Sequence, residues 1–272
     1  MNTWNRWHSL WTMCRDNPSE GRLQEAHLDA TTILQELSGP APQPNEFWGV
    51  WAAEPPSPRV EAELIDGTWR LSGTKPWCSG AGRCTHALIT ATAQDGKKLF
   101  AAGLEGTKVT GDWGHPGMRD TLTYSVEFNH HPATLIGTHA DYLHRPGFWD
   151  GGIGVAACWL GSAAGLIDYV DKKYHLQRAQ IQAQISGGLW MLRGCAAEVD
   201  ENRDFEAARV RALIAREQAD AICQEILRLT KRCLGAGPLV NDPELLQRIN
   251  DVEIYTRQSH GDRDLEWLGE LL

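Results

Sequence analysis

His260 is a candidate for proton transfer. It lies in the segment Ser259-His260-Gly261, and an unperturbed imidazole, which titrates at about pH 6.5, can act as a base or as a proton donor. Arg257 and Arg263 flank it and would favour an anionic ligand nearby, although at helical spacing both fit equally well as solvated charges. An isolated surface histidine is the alternative interpretation.

Trp77 and Ser79 form a second candidate group. They stand two residues apart in an expected strand, so their side chains should point to the same face. The sequence contains 12 tryptophans, and an indole suits a flat ring ligand as well as an ordinary core. The alternative interpretation is a core tryptophan beside a polar strand end. Asp150, in the segment PGFWDGG, is a further candidate, and for it the alternative is an ordinary loop aspartate.

Charge and composition exclude several classes of protein. The net charge of −9 argues against a nucleic-acid partner, because such partners require a basic face. No apolar run approaches the roughly 18 residues that span a bilayer, and the N-terminus does not resemble a signal peptide, so we expect no membrane partner. The 7 scattered cysteines indicate reduced thiols and a cytoplasmic protein. No ligand set is evident, so we expect no metal.

The pattern changes twice along the chain. Residues 3–37 have helical spacing, and the breaker-rich segment 38–46 follows them. Between 47 and 130 short alternating strands surround turn signals at Asp66-Gly67 and Asp95-Gly96, which predicts an antiparallel barrel or sandwich. Ala62 and Leu64 should face its core.

From about residue 153 onwards the sequence predicts helices. Apolar positions repeat at 4-3-4-3 spacing over 203–234, and the alanines at 208–219 suit close packing of a neighbouring helix. Gly235 followed by Pro238 ends this helix, and Asp242-Pro243 starts a last helix over about 242–268.

The order of these segments, together with local motifs, resembles the acyl-CoA dehydrogenase family over about 47–270. The Ala-Glu-Pro turn at 53–55 and the strand LSGTKPWCS at 71–79 are similar to the family's Thr-Glu-Pro turn and Leu-x-Gly-x-Lys-x-Trp strand. GMRDTLTYSVEF, from residue 117, resembles the strand that closes the family's β-domain. The resemblance implies an α+β fold, with an abbreviated helical segment (1–45), a β-domain (46–150) and a helical bundle (151–272).

The family binds FAD, and the resemblance implies which residues would contact it. Trp77 would form a wall beside the flavin ring, Ser79 would donate to it, and the Cys78 backbone would lie between them. Ala52 and Ala53 would add backbone contacts. The turn Gly235, Ala236 and Gly237 fits the position from which the family's partner subunit approaches the pyrophosphate. A helix C-cap explains the glycines of this turn equally well.

The family's catalytic glutamate has no counterpart at either of its two positions. His260 falls at or one residue past one position, and Asp150 falls close to the other. The Arg-x-x-Phe-Gly feature that holds the adenine half of FAD also lacks a counterpart around 175–184. Relatives that have a histidine at the base position tend to be flavin monooxygenases or other oxidoreductases.

Three functions therefore remain open. The first is an FAD-dependent oxidoreductase that acts on an acyl thioester, such as a CoA thioester, or on a related small molecule. The others are a catalytically degenerate subunit for binding or assembly and a flavin monooxygenase-like enzyme. The resemblance also implies a homodimer or homotetramer, because the flavin of this fold lies between subunits. The alanine seam at 208–219 would suit close helix packing between the copies.

Overall fold

The computed structural model describes residues 2–138, 141–145, 147–202 and 204–272. The chain divides into two compact units. The helical unit comprises 2–22, 115–118 and 149–272, and the barrel unit comprises 23–114 and 119–148.

The barrel unit is built on one sheet of seven strands. They are β1 (Trp48–Trp51), β2 (Val60–Ile65), β3 (Thr68–Cys78), β4 (His86–Ala93), β5 (Gly96–Gly103), β6 (Lys108–Thr110) and β7 (Tyr124–Ile136). Strands β4, β2, β3, β7 and β5 pair in that order, and β5 pairs again with β4, so five strands close a barrel. β1 adds to β4 and β6 adds to β7.

The prediction of an antiparallel barrel or sandwich is corrected in two respects. The sheet is a closed barrel rather than a sandwich, and β4 pairs in parallel with both β1 and β2. Alternation of apolar and polar residues fixes which face of a strand is buried, but it does not say which strand is the neighbour. The pairing partners were therefore not accessible from the pattern.

The first predicted hairpin is confirmed. Ile65 pairs with Thr68, and the turn residues Asp66 and Gly67 both have positive φ, as a type I′ turn requires. The expectation that Leu64 faces the core is wrong, because it lies beside the turn and its side chain is exposed.

The second hairpin lies one residue earlier than predicted. Ala93 pairs with Gly96, so the two-residue turn is Gln94-Asp95.

Apolar side chains from the strands fill the barrel, and a helix covers part of its outside. The core consists of Trp51, Val60, Ala62, Leu71, Cys78, Ala81, Ala87, Ile89, Ala91, Ala93, Phe100, Ala102, Val126 and Phe128. A second cluster joins helix residues Ala30, Ile33 and Leu34 to Trp48, Leu88, Leu99, Ala101 and Ile136.

Nine α-helices lie in the described parts of the chain. They are α1 (Thr3–Asp16), α2 (Pro18–Glu36), α3 (Asp141–His144), α4 (Gly147–Ala164), α5 (His175–Glu201), α6 (Phe205–Leu234), α7 (Ala236–Asn241), α8 (Pro243–Tyr255) and α9 (Asp262–Leu271). Two predicted helices are each divided. The first breaks at Asn17, because Pro18 has no N–H to continue the hydrogen-bond ladder. The last is divided between Tyr255 and Asp262.

Helix α4 is more apolar than the sequence analysis allowed. With the turn that follows, it forms a 23-residue segment, Gly147–Tyr169, that contains an 18-residue window with a mean hydropathy of 1.3, so by length and composition alone it could cross a membrane. Among the described residues it is the one helix with this property, and most of the segment is buried inside the chain, as in the core helix of a globular protein.

The alanine seam of α6 is buried inside the chain. Ala208, Ala212, Ala215 and Ala219 are all buried, and α6 packs on α5. The prediction of close helix packing is confirmed, but the neighbour belongs to the same chain. Any contact between copies of this chain therefore requires another surface.

Candidate functional site

Strand β3 ends in a bulge that presents Trp77 to solvent. Lys75 pairs with Val126 and Cys78 pairs with Tyr124, so β3 has one extra residue in this interval. Pro76 accounts for the irregularity, because it cannot donate to the ladder and is tolerated in sheets mainly at edges and bulges. Trp77 has φ +56° and is 60% exposed. Its indole is therefore not a core residue.

Ser79 lies in a turn beyond the end of β3, so the strand-parity argument for residues 77 and 79 is wrong. Hydrogen bonds position Ser79 instead. Its Oγ accepts a hydrogen bond from Thr123 Oγ1 at 3.1 Å, and Thr123 Oγ1 lies 2.7 Å from Thr121 Oγ1. Both threonines are buried. The Ser79 hydroxyl thus ends a short chain of hydroxyl groups on a fixed backbone.

Positive φ angles cluster around this turn. Leu122, between the two threonines, has φ +49°, and Gly80 has φ +75°. The Gly80 N–H donates to Thr121 O at 2.7 Å, which joins the two segments. Bulky residues such as Trp77 and Leu122 are rarely found in the left-handed region, and such strain concentrates at binding and catalytic sites.

Ala52 and Ala53 are partly exposed and follow β1 directly. Trp51, the last residue of β1, donates from Nε1 to Ser79 O at 3.0 Å. The structure therefore brings the predicted alanine pair beside the predicted Trp77–Ser79 segment. We call these five residues, Ala52, Ala53, Trp77, Cys78 and Ser79, the strand-end cluster.

A buried ammonium group holds the other end of the alanine pair. Lys75 Nζ donates to Glu54 Oε1 at 2.7 Å and to both Thr90 O and Thr90 Oγ1 at 2.8 Å. Lys75 is buried, and these three acceptors match the three protons of an ammonium. Lys97 Nζ lies 3.6 Å from Glu54 Oε2. Glu54 immediately follows Ala53, so this network ties the alanine pair to β3 and β4.

Burial acts on the pKa values of both partners. It raises the pKa of Glu54, but the hydrogen bonds from Lys75 and Thr90 outweigh it and leave that pKa below the ordinary value. Burial lowers the pKa of Lys75, and the carboxylate only partly compensates. The short contacts to three acceptors favour the ion pair over a neutral amine.

Cys78 contributes to the strand-end cluster through its backbone alone. Its thiol is buried and faces Lys75 O at 3.1 Å. Burial raises the pKa of this thiol far above its usual range, so it stays protonated and unreactive.

In the helical unit, His260 is paired with a carboxylate that the sequence analysis did not identify. Its Nδ1 lies 3.1 Å from Asp264 Oδ1, and its backbone N–H donates to Asp264 Oδ2 at 3.2 Å. Asp264 is buried in the first turn of α9, where negative charge is favourable, whereas the His260 side chain is 53% exposed. If Nδ1 carries the proton, Nε2 is the basic nitrogen. The i, i+4 spacing of these two residues was a signal in the sequence.

A single arginine links the segments that contain the two catalytic candidates. Arg216 on α6 donates from Nη1 to Gly152 O at 3.3 Å and from Nη2 to Gln258 O at 2.8 Å. Gly152 is two residues after Asp150, and Gln258 is two residues before His260. The backbones near both candidates therefore meet at one guanidinium group, which the sequence gave no reason to single out.

Aromatic rings and arginines surround this region of α6. The Arg216 guanidinium lies 4.7 Å from the centroid of the buried Trp159 ring. The Arg209 guanidinium lies 5.9 Å from the Trp149 ring and 6.0 Å from the Trp267 ring. Trp149 precedes Asp150, which is the fourth residue of α4 and is partly buried. Part of the tryptophan excess thus lines the neighbourhood of the catalytic candidates.

The remaining predicted residues, Gly235, Ala236 and Gly237, are exposed at the junction of α6 and α7. Gly235 is the C-cap of α6 and has φ +64° and ψ −166°, a conformation outside the left-handed helical well that glycine adopts readily. The structure thus confirms the C-cap interpretation of Gly235 and shows a short helix, α7, beginning directly after it.

A groove of about 640 Å³ lies elsewhere in the helical unit. Helices α5, α6 and α9 line it with Met191, Cys195, Glu198, Glu206, Ala207, Val210, Arg211, Ile214, Ala215 and Leu271. No residue predicted to act in catalysis or cofactor binding is among them. Within the described residues, no group of three or more His, Cys, Asp or Glu side chains is arranged to hold a metal ion.

The comparisons with known proteins establish the fold. No protein-family model and no curated protein matches the chain. The structure of FMN-bound TdsC from Paenibacillus sp. A11-2, a dibenzothiophene monooxygenase, is similar with a TM-score of 0.84 and 18% identity over 99% of this chain and 83% of that one. Methanesulfinate monooxygenase MsuC from Pseudomonas fluorescens has a TM-score of 0.80 and 17% identity over 99% of this chain and 82% of its own.

A steroid ACAD variant, Tcur3481-Tcur3483, is also similar, with a TM-score of 0.73 and 18% identity over 97% of this chain and 80% of that one. At these identities the similarity shows a shared fold. The acyl-CoA dehydrogenase-like fold expected from the sequence is thereby confirmed as a fold.

Proposed function

We propose that this protein is a flavin-dependent oxidoreductase that binds its flavin at the strand-end cluster. The observation that carries the proposal is the pair of links that ties Ala52-Ala53 to β3, one from Trp51 to Ser79 and one from Glu54 to Lys75. They hold two partly exposed alanines beside an exposed, strained indole. Packing of the barrel core does not require the indole to be exposed.

The residues of the strand-end cluster fit a flavin ring. The exposed Trp77 indole offers a flat apolar wall, and the Ser79 hydroxyl offers a hydrogen bond. The two alanines are partly exposed and have no long side chain to cover their backbone. Bound there, a flavin would supply the hydride or electron transfer that no side chain can perform. FMN and FAD share this ring system. The resemblance to the dehydrogenases favours FAD, and the TdsC structure contains FMN.

We propose that His260 is the proton-transfer group. Asp264 orients the imidazole through Nδ1, so Nε2 can accept or return a proton on a small-molecule substrate. A histidine–aspartate pair in place of a glutamate favours a monooxygenase over a dehydrogenase of acyl thioesters. Two of the similar structures are named as monooxygenases. Asp150 is the alternative base.

Two assays separate the candidate reactions. In the first, the protein receives chemically reduced FMN or FAD, oxygen and a panel of sulfur- and nitrogen-containing aromatic compounds, and oxygenated product is measured by mass spectrometry. In the second, it receives FAD, acyl-CoA thioesters and an artificial electron acceptor. We expect product in the first assay. Product in the second assay alone would establish the acyl thioester function, and bound flavin without turnover in either would indicate a degenerate subunit.

We also propose that the protein acts in the cytoplasm as a homodimer or homotetramer. The alanine seam of α6 cannot serve as the interface, because it is already buried inside the single chain.

A further inference from the structure

Three hydroxyl groups stand in a row at the end of strand β3. Thr123 Oγ1 donates to Ser79 Oγ at 3.1 Å and lies 2.7 Å from Thr121 Oγ1. Both threonines are buried, whereas Ser79 is partly exposed. The row therefore begins inside the barrel unit and ends at the strand-end cluster. We call it the hydroxyl row.

The direction of each hydrogen bond in the hydroxyl row follows from the number of protons. A hydroxyl group carries one proton, and Thr123 uses its proton on Ser79. The contact between the two threonines is then a hydrogen bond only if Thr121 donates it. Ser79 thus accepts one hydrogen bond and keeps its own proton to donate, and none of the described residues accepts that proton.

The backbone holds both ends of the hydrogen bond between Thr123 and Ser79. Cys78 pairs with Tyr124 in the sheet, so Ser79 and Thr123, the next residues outward on the two segments, stand opposite each other. Trp51 Nε1 donates to Ser79 O at 3.0 Å and fixes the serine backbone. Threonine is β-branched, which restricts its own rotamers. Only rotation of the Ser79 side chain remains open, and Thr123 restricts it.

Packing alone does not account for the hydroxyl row. Valine has nearly the shape of threonine without the polar atom, and a buried hydroxyl needs a partner that valine does not need. In the hydroxyl row the two buried hydroxyls satisfy each other in an order that leaves the free proton at the partly exposed end. The row thus delivers a hydrogen-bond donor to the strand-end cluster.

We propose that Thr123, supported by Thr121, is a positioning residue that keeps the Ser79 hydroxyl a hydrogen-bond donor towards the ligand of the strand-end cluster. The inference rests on the proposed flavin site. It adds that the ring meets Ser79 with an acceptor, such as a carbonyl oxygen or a ring nitrogen without hydrogen, and not with an N–H group. A hydroxyl that accepts a hydrogen bond also donates a stronger one, because linked hydroxyls polarise each other. Thr123 acts only through Ser79.

A double-mutant cycle on flavin affinity tests this role. Fluorescence titration, with whichever of FMN and FAD binds more tightly, gives dissociation constants for the parent, Ser79→Ala, Thr123→Val and the double variant. We expect each single substitution to weaken binding about two- to tenfold, the range of one uncharged hydrogen bond. The double variant should bind no more weakly than Ser79→Ala, because Thr123 then has no hydroxyl left to position.

Two further variants separate positioning from stability. Thr123→Ser keeps a hydroxyl at this position and should restore parent-like binding. Thr107→Val removes a comparable hydrogen bond elsewhere in the barrel unit, from Thr107 Oγ1 to Leu104 O at 2.8 Å, and should also bind flavin like the parent. The absorption spectrum of the bound flavin is a second readout. Thr123→Val should change it when Ser79 is present and leave it unchanged in the Ser79→Ala background.

Should Thr123→Val not fold, Thr121→Val takes its place in the cycle. It frees the direction of the remaining hydrogen bond, so its effect on binding should likewise vanish in the Ser79→Ala background. Additive losses in the cycle, or a Thr107→Val chain that binds as weakly as Thr123→Val, would overturn the positioning role and leave the flavin site standing. A parent chain that binds neither FMN nor FAD would overturn the proposed function, and this inference with it.

Discussion

Trp77 stands in the left-handed region of backbone conformation, where a bulky side chain is strained. Its ring is largely exposed, so burial in the barrel core does not offset that strain. A residue that costs stability and contributes little to the core needs another reason to be present. The proposed flavin contact supplies such a reason. If it is correct, a substitution of Trp77 should weaken flavin binding but change the stability of the fold little.

We predict that Trp77→Gly changes the free energy of unfolding by no more than about 1 kcal/mol, because relief of the positive φ offsets the lost contacts. Urea unfolding monitored by circular dichroism measures this. The fully buried Trp159 is the control, and Trp159→Ala should cost about 3–5 kcal/mol. If Trp77→Gly costs as much as Trp159→Ala, Trp77 is a core residue.

His260 is the second residue whose role can be tested directly. We predict that His260→Ala slows turnover by about 10²–10⁴-fold, the usual contribution of a positioned acid or base. Asp264→Asn should slow turnover less, because the imidazole keeps its basic nitrogen and loses only the carboxylate that orients it through Nδ1. Steady-state rates over a range of pH measure both effects. If His260→Ala turned over as fast as the parent and Asp150→Asn were inactive, the base would be Asp150 instead of His260.

At the scale of elements, the Glu54–Lys75–Thr90 network joins β3 and β4 to the segment that follows β1. Glu54 has a folded-state pKa below its ordinary value of 4.5, so its ionised form stabilises the barrel above about pH 4.5. That contribution is lost as the pH falls through the folded-state pKa. The network is therefore an acid-sensitive support of the strand-end cluster.

We predict that Glu54→Gln costs about 3 kcal/mol at pH 7, because it leaves the buried Lys75 ammonium without its anion. The difference between parent and variant should shrink as the pH is lowered below 4.5, the ordinary pKa of Glu54. Urea unfolding at neutral and acid pH measures it. The exposed Glu61 on β2 is the control, and Glu61→Gln should have little effect at either pH. A difference that does not vary with pH would contradict this account.

Helices α1 and α4 meet at a glycine. A Cβ on Gly161 would lie 2.1 Å from the backbone oxygen of Trp11, and backbone cannot yield as a side chain can. We predict that Gly161→Ala costs about 1–3 kcal/mol or more in thermal or urea unfolding. Gly269→Ala on α9, where a Cβ would meet nothing within 4 Å, should instead stabilise by about 0.5–1 kcal/mol. If both substitutions changed the free energy of unfolding equally, helix propensity rather than the contact with Trp11 would determine the effect of Gly161→Ala.

For the whole molecule, local sequence patterns predicted the helices, strands and turns better than they predicted which strands pair with each other. The Asp66-Gly67 turn and the Asp242 cap are encoded by adjacent residues, and both are confirmed. Closure of the barrel depends on pairings between distant strands, which alternation does not specify.

The candidate site shows the same distinction. Trp77 and Ser79 were identified from the sequence, but the bulge at Pro76 invalidates the parity argument that joined them. Arg216 links the backbones near Asp150 and His260 through hydrogen bonds that cross the fold, and no local spacing indicates them.

The central claim is that the strand-end cluster binds a flavin, and a fluorescence titration tests it most directly. Increasing amounts of the parent protein or of Trp77→Gly are added to FMN and, separately, to FAD at fixed concentration. The account predicts saturable quenching at one flavin per chain for the parent with at least one of the two. It also predicts at least about tenfold weaker binding for Trp77→Gly, the loss expected when an aromatic anchor is removed. No binding by the parent, or equal binding by the variant, would contradict the account.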